Sequence, residues 1–170
     1  MQPWAQDVHK ELKAAGVRVV GYVPDAGHKR LIELCLADKA MRAVVLTTEE
    51  EGIGLAAGAW LGGQRSVLLI QSSGVGNTIN VLGLLKTCGI PLVTIVTMRG
   101  EQGEFNSWQV PMGEATQSAF EIMGVKVVRA SSAEEVAPLV ALALKNNFST
   151  AVLISQKVIG IKSFQDQTSQ

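Results

Sequence analysis

The stretch Ser66–Asn80, SVLLIQSSGVGNTIN, predicts a strand, a glycine-containing turn and the start of a helix. Ser66–Gln71 has an apolar interior, as expected for a parallel strand that is covered on both faces. Parallel α/β sheets bind ligands beyond the carboxyl ends of their strands, and the free amides of a helix N-terminus suit a polar ligand. Ser72–Thr78 is therefore a candidate binding loop, and a tight turn without a ligand is the alternative. Ile79 stands where the third glycine of GxGxxG belongs, so the dinucleotide-binding motif is absent.

Short apolar runs alternate with longer helical patterns along the whole chain, which predicts a parallel sheet flanked by helices. Six strands are expected, at Val17–Val23, Ala43–Leu46, Ser66–Gln71, Leu92–Thr97, Lys126–Ala130 and Thr150–Ser155. Six helices are expected, at Trp4–Ala15, Ala26–Ala37, Glu49–Leu61, Asn77–Thr87, Gly113–Met123 and Ala133–Lys145. The predicted fold class is thus α/β, a single three-layer domain over residues 1–161 with a six-stranded, mostly parallel sheet. A mobile tail is expected over residues 162–170.

The chain has 170 residues, 15 basic and 15 acidic side chains, and a formal net charge of zero. No basic cluster offers an electrostatic footprint for nucleic acid or an anionic membrane surface, so neither partner is expected. Cys35 and Cys88 form no closely spaced pair, and with His9 and His28 they show no metal-ligand spacing. The polar N-terminus has no secretory signal. These features predict a cytoplasmic protein with reduced thiols and no metal site of its own.

Charge is almost absent between Gly52 and Met98, where only Arg65 and Lys86 are charged. The two helices expected there have no charged face, and a helix that is apolar all round is buried all round. The first of them carries three glycines at a spacing of four, Gly54, Gly58 and Gly62. Each glycine costs roughly 1 kcal/mol of helix propensity relative to Ala, which favours close approach of another backbone. Two explanations stay open: a central helix packed tightly on its own sheet, or a subunit interface.

Three consecutive carboxylates, Glu49, Glu50 and Glu51, open this helix after Thr48. A capping box between Thr48 and Glu51, together with the helix dipole, explains one or two of them. Three carboxylates ahead of an uncharged stretch are not all readily solvated, and burial favours the neutral form of a carboxyl group. A glutamate that exchanges a proton near neutral pH is therefore a hypothesis here, and spacing alone does not choose among the three.

Polar residues follow other strands at the same edge of the predicted sheet. Val23–Arg30 follows the first strand; Asp25 in this loop is predicted to cap the second helix, and solvated basic residues are the alternative to a site. Met98–Met112 follows the fourth strand as a long irregular connection, and such loops are usually functional or disordered. Because the strands are apolar while the loops at one edge are polar, a single site is favoured over unrelated loops.

Four segments, read in order, resemble one family. They are GYVPD (21–25), TTEEEGIGLAAGAWLGG (47–63), LIQSSGVGNTIN (69–80) and PLVTIVTMRGE (91–101). Together they are similar to the pyrimidine-binding domain of thiamine diphosphate enzymes, especially the α subunits of sulfopyruvate decarboxylase and the related phosphonopyruvate decarboxylases. The similarity extends from about Val8 to about Val158.

The resemblance assigns roles to residues that spacing leaves undecided. It selects Glu49, nine residues before Gly58, as the catalytic glutamate that hydrogen-bonds N1′ of the aminopyrimidine ring of thiamine diphosphate. It implies that Asp25 is an acid or base, and that Arg99 or His28 provides the counter-charge to a sulfonate or phosphonate. The implied pyrimidine contacts are Pro24, Glu49, Ser72, Ser73, Gly74 and Val75. The implied substrate contacts are His28, Arg99 and Gln109.

Full-length enzymes of this family also carry a Gly-Asp-Gly motif and a downstream Asn, which hold Mg²⁺ and the diphosphate. This sequence contains no Gly-Asp-Gly. The resemblance therefore implies a β subunit that binds the diphosphate and Mg²⁺, in a dimer-based hetero-oligomer that shares thiamine diphosphate between chains.

The implied reaction is decarboxylation of a small anionic 2-keto acid. Sulfopyruvate would give sulfoacetaldehyde, and phosphonopyruvate would give phosphonoacetaldehyde. Two rival functions stay open: acyloin formation with the same cofactor, and a non-catalytic α/β module that binds an anion or nucleotide at the Gly74 loop.

Overall fold

A computed structural model describes residues 3–160 of the chain. The strands are β1 Val17–Tyr22, β2 Arg42–Val45, β3 Arg65–Gln71, β4 Val93–Thr97, β5 Lys126–Ala130 and β6 Thr150–Ile154. The helices are α1 Trp4–Ala14, α2 Lys29–Ala37, α3 Glu49–Leu61, α4 Val75–Cys88, α5 Val110–Ile122, α6 Ala133–Lys145 and a short α7 Gln156–Ile159. Single 3₁₀ turns, Ser72–Gly74 and Ser107–Gln109, precede α4 and α5. The tail predicted over residues 162–170 lies outside the described residues.

The strands form one sheet in the order β2-β1-β3-β4-β6-β5, and every neighbouring pair is parallel. This confirms the predicted fold class and all six predicted strands, with ends that differ by at most one residue. Helices α1, α2 and α6 cover one face of the sheet, and α3, α4 and α5 cover the other. Along β3 the buried side chains alternate between these two cores, with Val67 and Leu69 in the first and Leu68 and Ile70 in the second.

Two capping predictions are wrong. Helix α2 begins at Lys29 instead of Ala26, so His28 and not Asp25 stands at its N-cap position; the Asp25 carboxylate accepts hydrogen bonds from side chains on β3 and β4. Helix α3 begins at Glu49 as predicted, but Thr48 makes no side-chain cap. Instead Glu51 Oε2 accepts from the Thr47 amide at 2.7 Å, which satisfies a backbone donor just before the helix.

The glycines of α3 divide into two groups. A Cβ at Gly52 would lie 2.3 Å from Leu68 Cδ1, so this glycine lets the helix pack closely on its own sheet. A Cβ at Gly54 or Gly58 would meet nothing within 4 Å. Packing on the sheet therefore explains Gly52 but not the other two.

The strand order brings the candidate loops together. From β1 the chain moves to β2 at one side, and then returns to β3 on the other side of β1. The carboxyl ends of β1, β3 and β4 are consecutive, so the loops that follow them share one edge. Open α/β sheets bind ligands at such a reversal of strand order. No helix within residues 3–160 is long and apolar enough to cross a membrane.

Candidate active site

Glu49 is a buried carboxylate without a cationic partner. It is the first residue of α3, and only 8% of its surface is exposed. Its Oε2 accepts a hydrogen bond from Asn77 Nδ2 at 2.8 Å. Within residues 3–160, Oε1 accepts no hydrogen bond and no Lys, Arg or His pairs with the carboxylate. Because buried carboxylates require donors, Oε1 has capacity for one more.

Gly74 provides the space for this carboxylate. A Cβ at position 74 would lie 1.9 Å from Glu49 Oε1 and 2.1 Å from its Cδ. No larger residue fits there unless the glutamate moves. The turn that ends β3 is thus shaped around the first side chain of α3, although 24 residues separate the two in sequence.

Sequence reasoning missed Asn77 as a partner of Glu49. Asn77 is the third residue of α4, and the α3–α4 packing brings it to Glu49. The sequence placed Asn77 at the predicted helix start and carried no signal of a contact with Glu49.

Asp25 lies in a continuous hydrogen-bonded array across the same edge. Its Oδ1 accepts from Gln71 Nε2 at 2.8 Å, and its Oδ2 accepts from Thr97 Oγ1 at 2.6 Å. Ser73 Oγ in turn donates to Gln71 Oε1 at 2.7 Å. The array leads from the loop after β1 to Ser73, next to Gly74. Gln71 and Thr97, the last residues of β3 and β4, were also missed by sequence reasoning.

His28 has no surface on which a substrate could bind. It is 0% exposed, and its Nε2 lies 3.1 Å from both the Ile70 and Ile95 carbonyl oxygens. Nε2 therefore carries the hydrogen that both carbonyls accept. Burial lowers the pKa of His28, against the opposing effects of the nearby Asp25 carboxylate and the two carbonyls. In the described chain His28, a predicted substrate contact, joins β3 and β4 from within the core.

Arg99 is likewise engaged within the chain. Its Nε donates to Glu104 Oε2 at 2.7 Å and its Nη2 to Glu104 Oε1, so the contact is bidentate. Glu104 also accepts from the Gly100 and Asn106 amides and from Gln156 Nε2. The hydrogen bonds from Arg99, above all, lower the Glu104 pKa to about 2. Within the described chain, Arg99, the predicted counter-charge to the substrate, is therefore paired with the Glu104 carboxylate.

The other predicted site residues differ in accessibility. Ser72 and Val75 are fully buried; the Ser72 hydroxyl bonds both the amide and the carbonyl of Arg99, and Val75 packs in the core. Their side chains are not available to a ligand in this chain. Pro24 and Ser73 are exposed. Gln109 is partly buried, and its Oε1 has no partner among the described residues.

The fold and the site together define an α/β domain with a buried glutamate at the carboxyl edge of its sheet. The hydrogen-bond partner of that glutamate is a neutral amide. Residues 4–123 match the family model described as "Thiamine pyrophosphate enzyme, N-terminal TPP binding domain". The chain belongs to this family, as the sequence resemblance predicted.

Similar proteins fall into the same group. The chain is 37% identical to the sulfopyruvate decarboxylase subunit alpha of Methanothermobacter thermautotrophicus, over 88% of this chain and 94% of the relative. It is 34% identical to the protein of that name from Methanococcus maripaludis, over 88% and 93%. It is 42% identical to the phosphonopyruvate decarboxylase of Streptomyces viridochromogenes, over 59% of this chain and 25% of the relative.

Solved structures show the same fold. A structure described as a putative thiamin diphosphate-dependent enzyme from Mycobacterium smegmatis superposes with a TM-score of 0.73 at 13% identity. That match covers 100% of this chain and 34% of the other. A 2-oxoglutarate:ferredoxin oxidoreductase from Magnetococcus marinus gives a TM-score of 0.71 at 12% identity, covering 96% of this chain and 33% of the other. The domain thus corresponds to about a third of those longer chains.

Proposed function

We propose that the chain is the α subunit of a thiamine diphosphate-dependent 2-keto acid decarboxylase that acts on sulfopyruvate or phosphonopyruvate. The observation that carries the proposal is Glu49, a buried carboxylate with one amide donor on Oε2 and an unused acceptor at Oε1. An unused carboxylate acceptor of this kind fits an aminopyrimidine ring whose N1′ shares a proton with the carboxylate. When bound, thiamine diphosphate supplies a nucleophilic carbon and an electron sink for loss of CO₂.

The residues of this chain hold the pyrimidine and manage protons. Glu49 holds the shared proton at Oε1, and Gly74 leaves the space that its carboxylate occupies. Pro24 and Ser73, which are both exposed, are proposed as further contacts to the pyrimidine. Asp25 is the proposed acid or base for the substrate. Both of its oxygens accept hydrogen bonds, which fixes the orientation of the carboxyl group.

Gln109 is the proposed substrate contact of this chain. Its Oε1 is buried and unpartnered within the described residues, and buried polar atoms normally have a partner. Arg99 and His28 leave the proposed contact set, because Glu104 pairs with the first and the core encloses the second.

A β subunit that holds the diphosphate and Mg²⁺ is the proposed partner, in a dimer-based hetero-oligomer. The relatives of matching length are named subunit alpha, which supports a two-chain enzyme. Exposed apolar side chains on α3 and α4 support an interface there: Trp60, Leu61, Ile79 and Leu84. The open space at Gly54 and Gly58 lies on the same charge-poor pair of helices.

Glu49→Gln tests the proposal. The chain is co-expressed with a candidate β chain, a polypeptide of similar length that contains Gly-Asp-Gly and a later Asn. Decarboxylation of sulfopyruvate, phosphonopyruvate and pyruvate is then followed by product analysis. The variant is expected to lose most activity while the complex still assembles, since removing a catalytic acid or base costs roughly 10²- to 10⁴-fold.

Glu50→Gln is the matched control, because Glu50 is the adjacent, exposed carboxylate of the same helix. It is expected to keep wild-type activity. Full activity of Glu49→Gln would remove Glu49 from the mechanism. Acyloin products in place of aldehydes would favour the rival lyase, and tight binding of thiamine diphosphate to the isolated monomer would contradict the shared site.

A further inference from the structure

Asn77 contacts Glu49, but the proposed function assigns it no role in the reaction. Asn77 is exposed, yet its Nδ2 lies 2.8 Å from Oε2 of Glu49, a residue of which only 8% of the surface is exposed. It is the one side-chain donor to that carboxylate within residues 3–160. An amide is a neutral donor, so it orients a carboxylate without neutralising it.

A second carboxylate at this edge shows what a charged partner does. Glu104 is bound by the Arg99 guanidinium, and this contact lowers its pKa to about 2. A carboxylate held in that way cannot take up a proton near neutral pH. Glu49 has a neutral amide, that of Asn77, where Glu104 has a guanidinium, so no ion pair holds the Glu49 carboxylate within the described residues.

The two oxygens of Glu49 have different surroundings. Asn77 holds Oε2, whereas Oε1 lies against the backbone at Gly74, where a Cβ would be 1.9 Å away. Rotation of the carboxyl group would break the amide contact. A half-turn would restore that contact with the other oxygen, so the amide fixes one oxygen position at Asn77 and leaves the other beside Gly74.

We propose that Asn77 is a positioning residue: its amide binds Oε2 of Glu49 and so reserves Oε1 for the proton shared with the aminopyrimidine nitrogen. This inference rests on the proposed function of Glu49. It names the residue that sets the geometry of the shared proton and assigns that proton to one of the two oxygens.

The test uses the two-chain complex with Asn77→Ala, Asn77→Asp and Asn77→Ala combined with Glu49→Gln. Affinity for thiamine diphosphate is measured by calorimetry, and kcat and KM by product formation. Loss of a hydrogen bond to a charged group that acts in the transition state lowers a rate constant by a factor of roughly 10 to 100. Asn77→Ala is therefore expected to lower kcat by about that factor. Asn80→Ala, an exposed Asn one turn later on α4, is the matched control and is expected to behave as wild type.

Asn77→Asp separates orientation from packing. Asp has nearly the shape of Asn but cannot donate when ionised, and it places a second negative charge beside Glu49. It is therefore expected to reduce kcat and cofactor affinity at least as much as Asn77→Ala. A role in filling space predicts near wild-type values for Asp, and that result would overturn the proposal.

The double variant tests whether Asn77 acts through Glu49. Removing Asn77 is expected to change kcat less than threefold once Glu49 is Gln, because coupled residues are not additive. If the loss of kcat in the double variant equals the product of the losses in the two single variants, the role of Asn77 is overturned and the proposed function stays intact. Failure of the wild-type complex to bind thiamine diphosphate would overturn the proposed function together with this inference.

Discussion

The carboxylate of Glu49 occupies the volume that any side chain at Gly74 would need, with Oε1 1.9 Å from the position of a Cβ. The glycine has a φ of −87°, so its conformation is open to any residue and the requirement is one of space alone. The start of α3 and the turn that follows β3 are therefore fitted to each other at the candidate active site.

Gly74→Ala is expected to abolish most activity of the two-chain complex by displacing Glu49. Displacement of a catalytic group by about 1 Å costs on the order of 100-fold in rate. Steady-state decarboxylation measures the loss, and circular dichroism checks the fold. Gly83→Ala on α4 is the control, since its Cβ would meet only Met123 Cε at 3.8 Å. Full activity of Gly74→Ala would contradict the prediction, because it would show that the Glu49 carboxylate can shift away from the new methyl group and still function.

Glu104→Gln is expected to destabilise the chain in a pH-dependent manner. The pKa of Glu104 is lowered from 4.5 to about 2, chiefly by its hydrogen bonds from Arg99. A lowered pKa stabilises the fold above pH 4.5, and this contribution is lost as the pH falls from 4.5 towards 2. The side chain is 1% exposed, so the free energy of unfolding at pH 7 should fall by roughly 2 to 4 kcal/mol.

Urea unfolding at pH 7 and at pH 3 measures this effect, and the difference between variant and wild type should narrow at pH 3. Glu114→Gln is the control, because Glu114 is exposed on α5. Its effect is expected to stay within about 0.5 kcal/mol at both pH values. Equal destabilisation by Glu104→Gln at both pH values would contradict the ionic role.

His28 is expected to make the fold less stable in mildly acidic solution. Burial lowers its pKa from 6.5, so below pH 6.5 the unfolded chain binds a proton that the folded chain does not. Stability is then lost as the pH falls, by up to about 1.4 kcal/mol per pH unit for one proton. His28→Asn should be less stable at pH 7 but should show a flatter dependence from pH 7 to 5 in thermal unfolding. If thermal stability falls equally with pH in wild type and in His28→Asn, His28 is excluded as the source of the pH dependence.

Leu84→Glu is expected to prevent assembly with the candidate β chain without unfolding the α chain. Leu84 is 46% exposed on α4, so the substitution costs the isolated chain little and places a charge in the proposed interface. Co-elution in size-exclusion chromatography and thermal unfolding measure the two effects. Leu142→Glu, on α6 across the sheet, should assemble normally. Loss of assembly in both variants would argue against an interface confined to α3 and α4.

The sequence by itself determined the layers of this protein. Each apolar run of about five residues specifies a strand covered on both faces, and the intervening helical patterns specify its cover, because both depend on local periodicity. Thus β1 to β6 were predicted within one residue at each end. The ordered motifs likewise indicated the family and, through it, Glu49. The start of α2 was predicted three residues early, and nothing in the sequence indicated that the Asp25 carboxylate has a partner as distant in the chain as Gln71.

Tertiary structure decided which of the predicted polar site residues are bound by other groups of the chain. Arg99 and His28 read as substrate residues in sequence, but Glu104 and the carbonyls of Ile70 and Ile95 engage them in the fold. The contact of Asn77 with Glu49 spans 28 residues and depends on how α3 packs against α4. Local pattern fixes what each segment becomes, whereas a hydrogen bond between distant side chains exists only once the strand order has set which segments are neighbours.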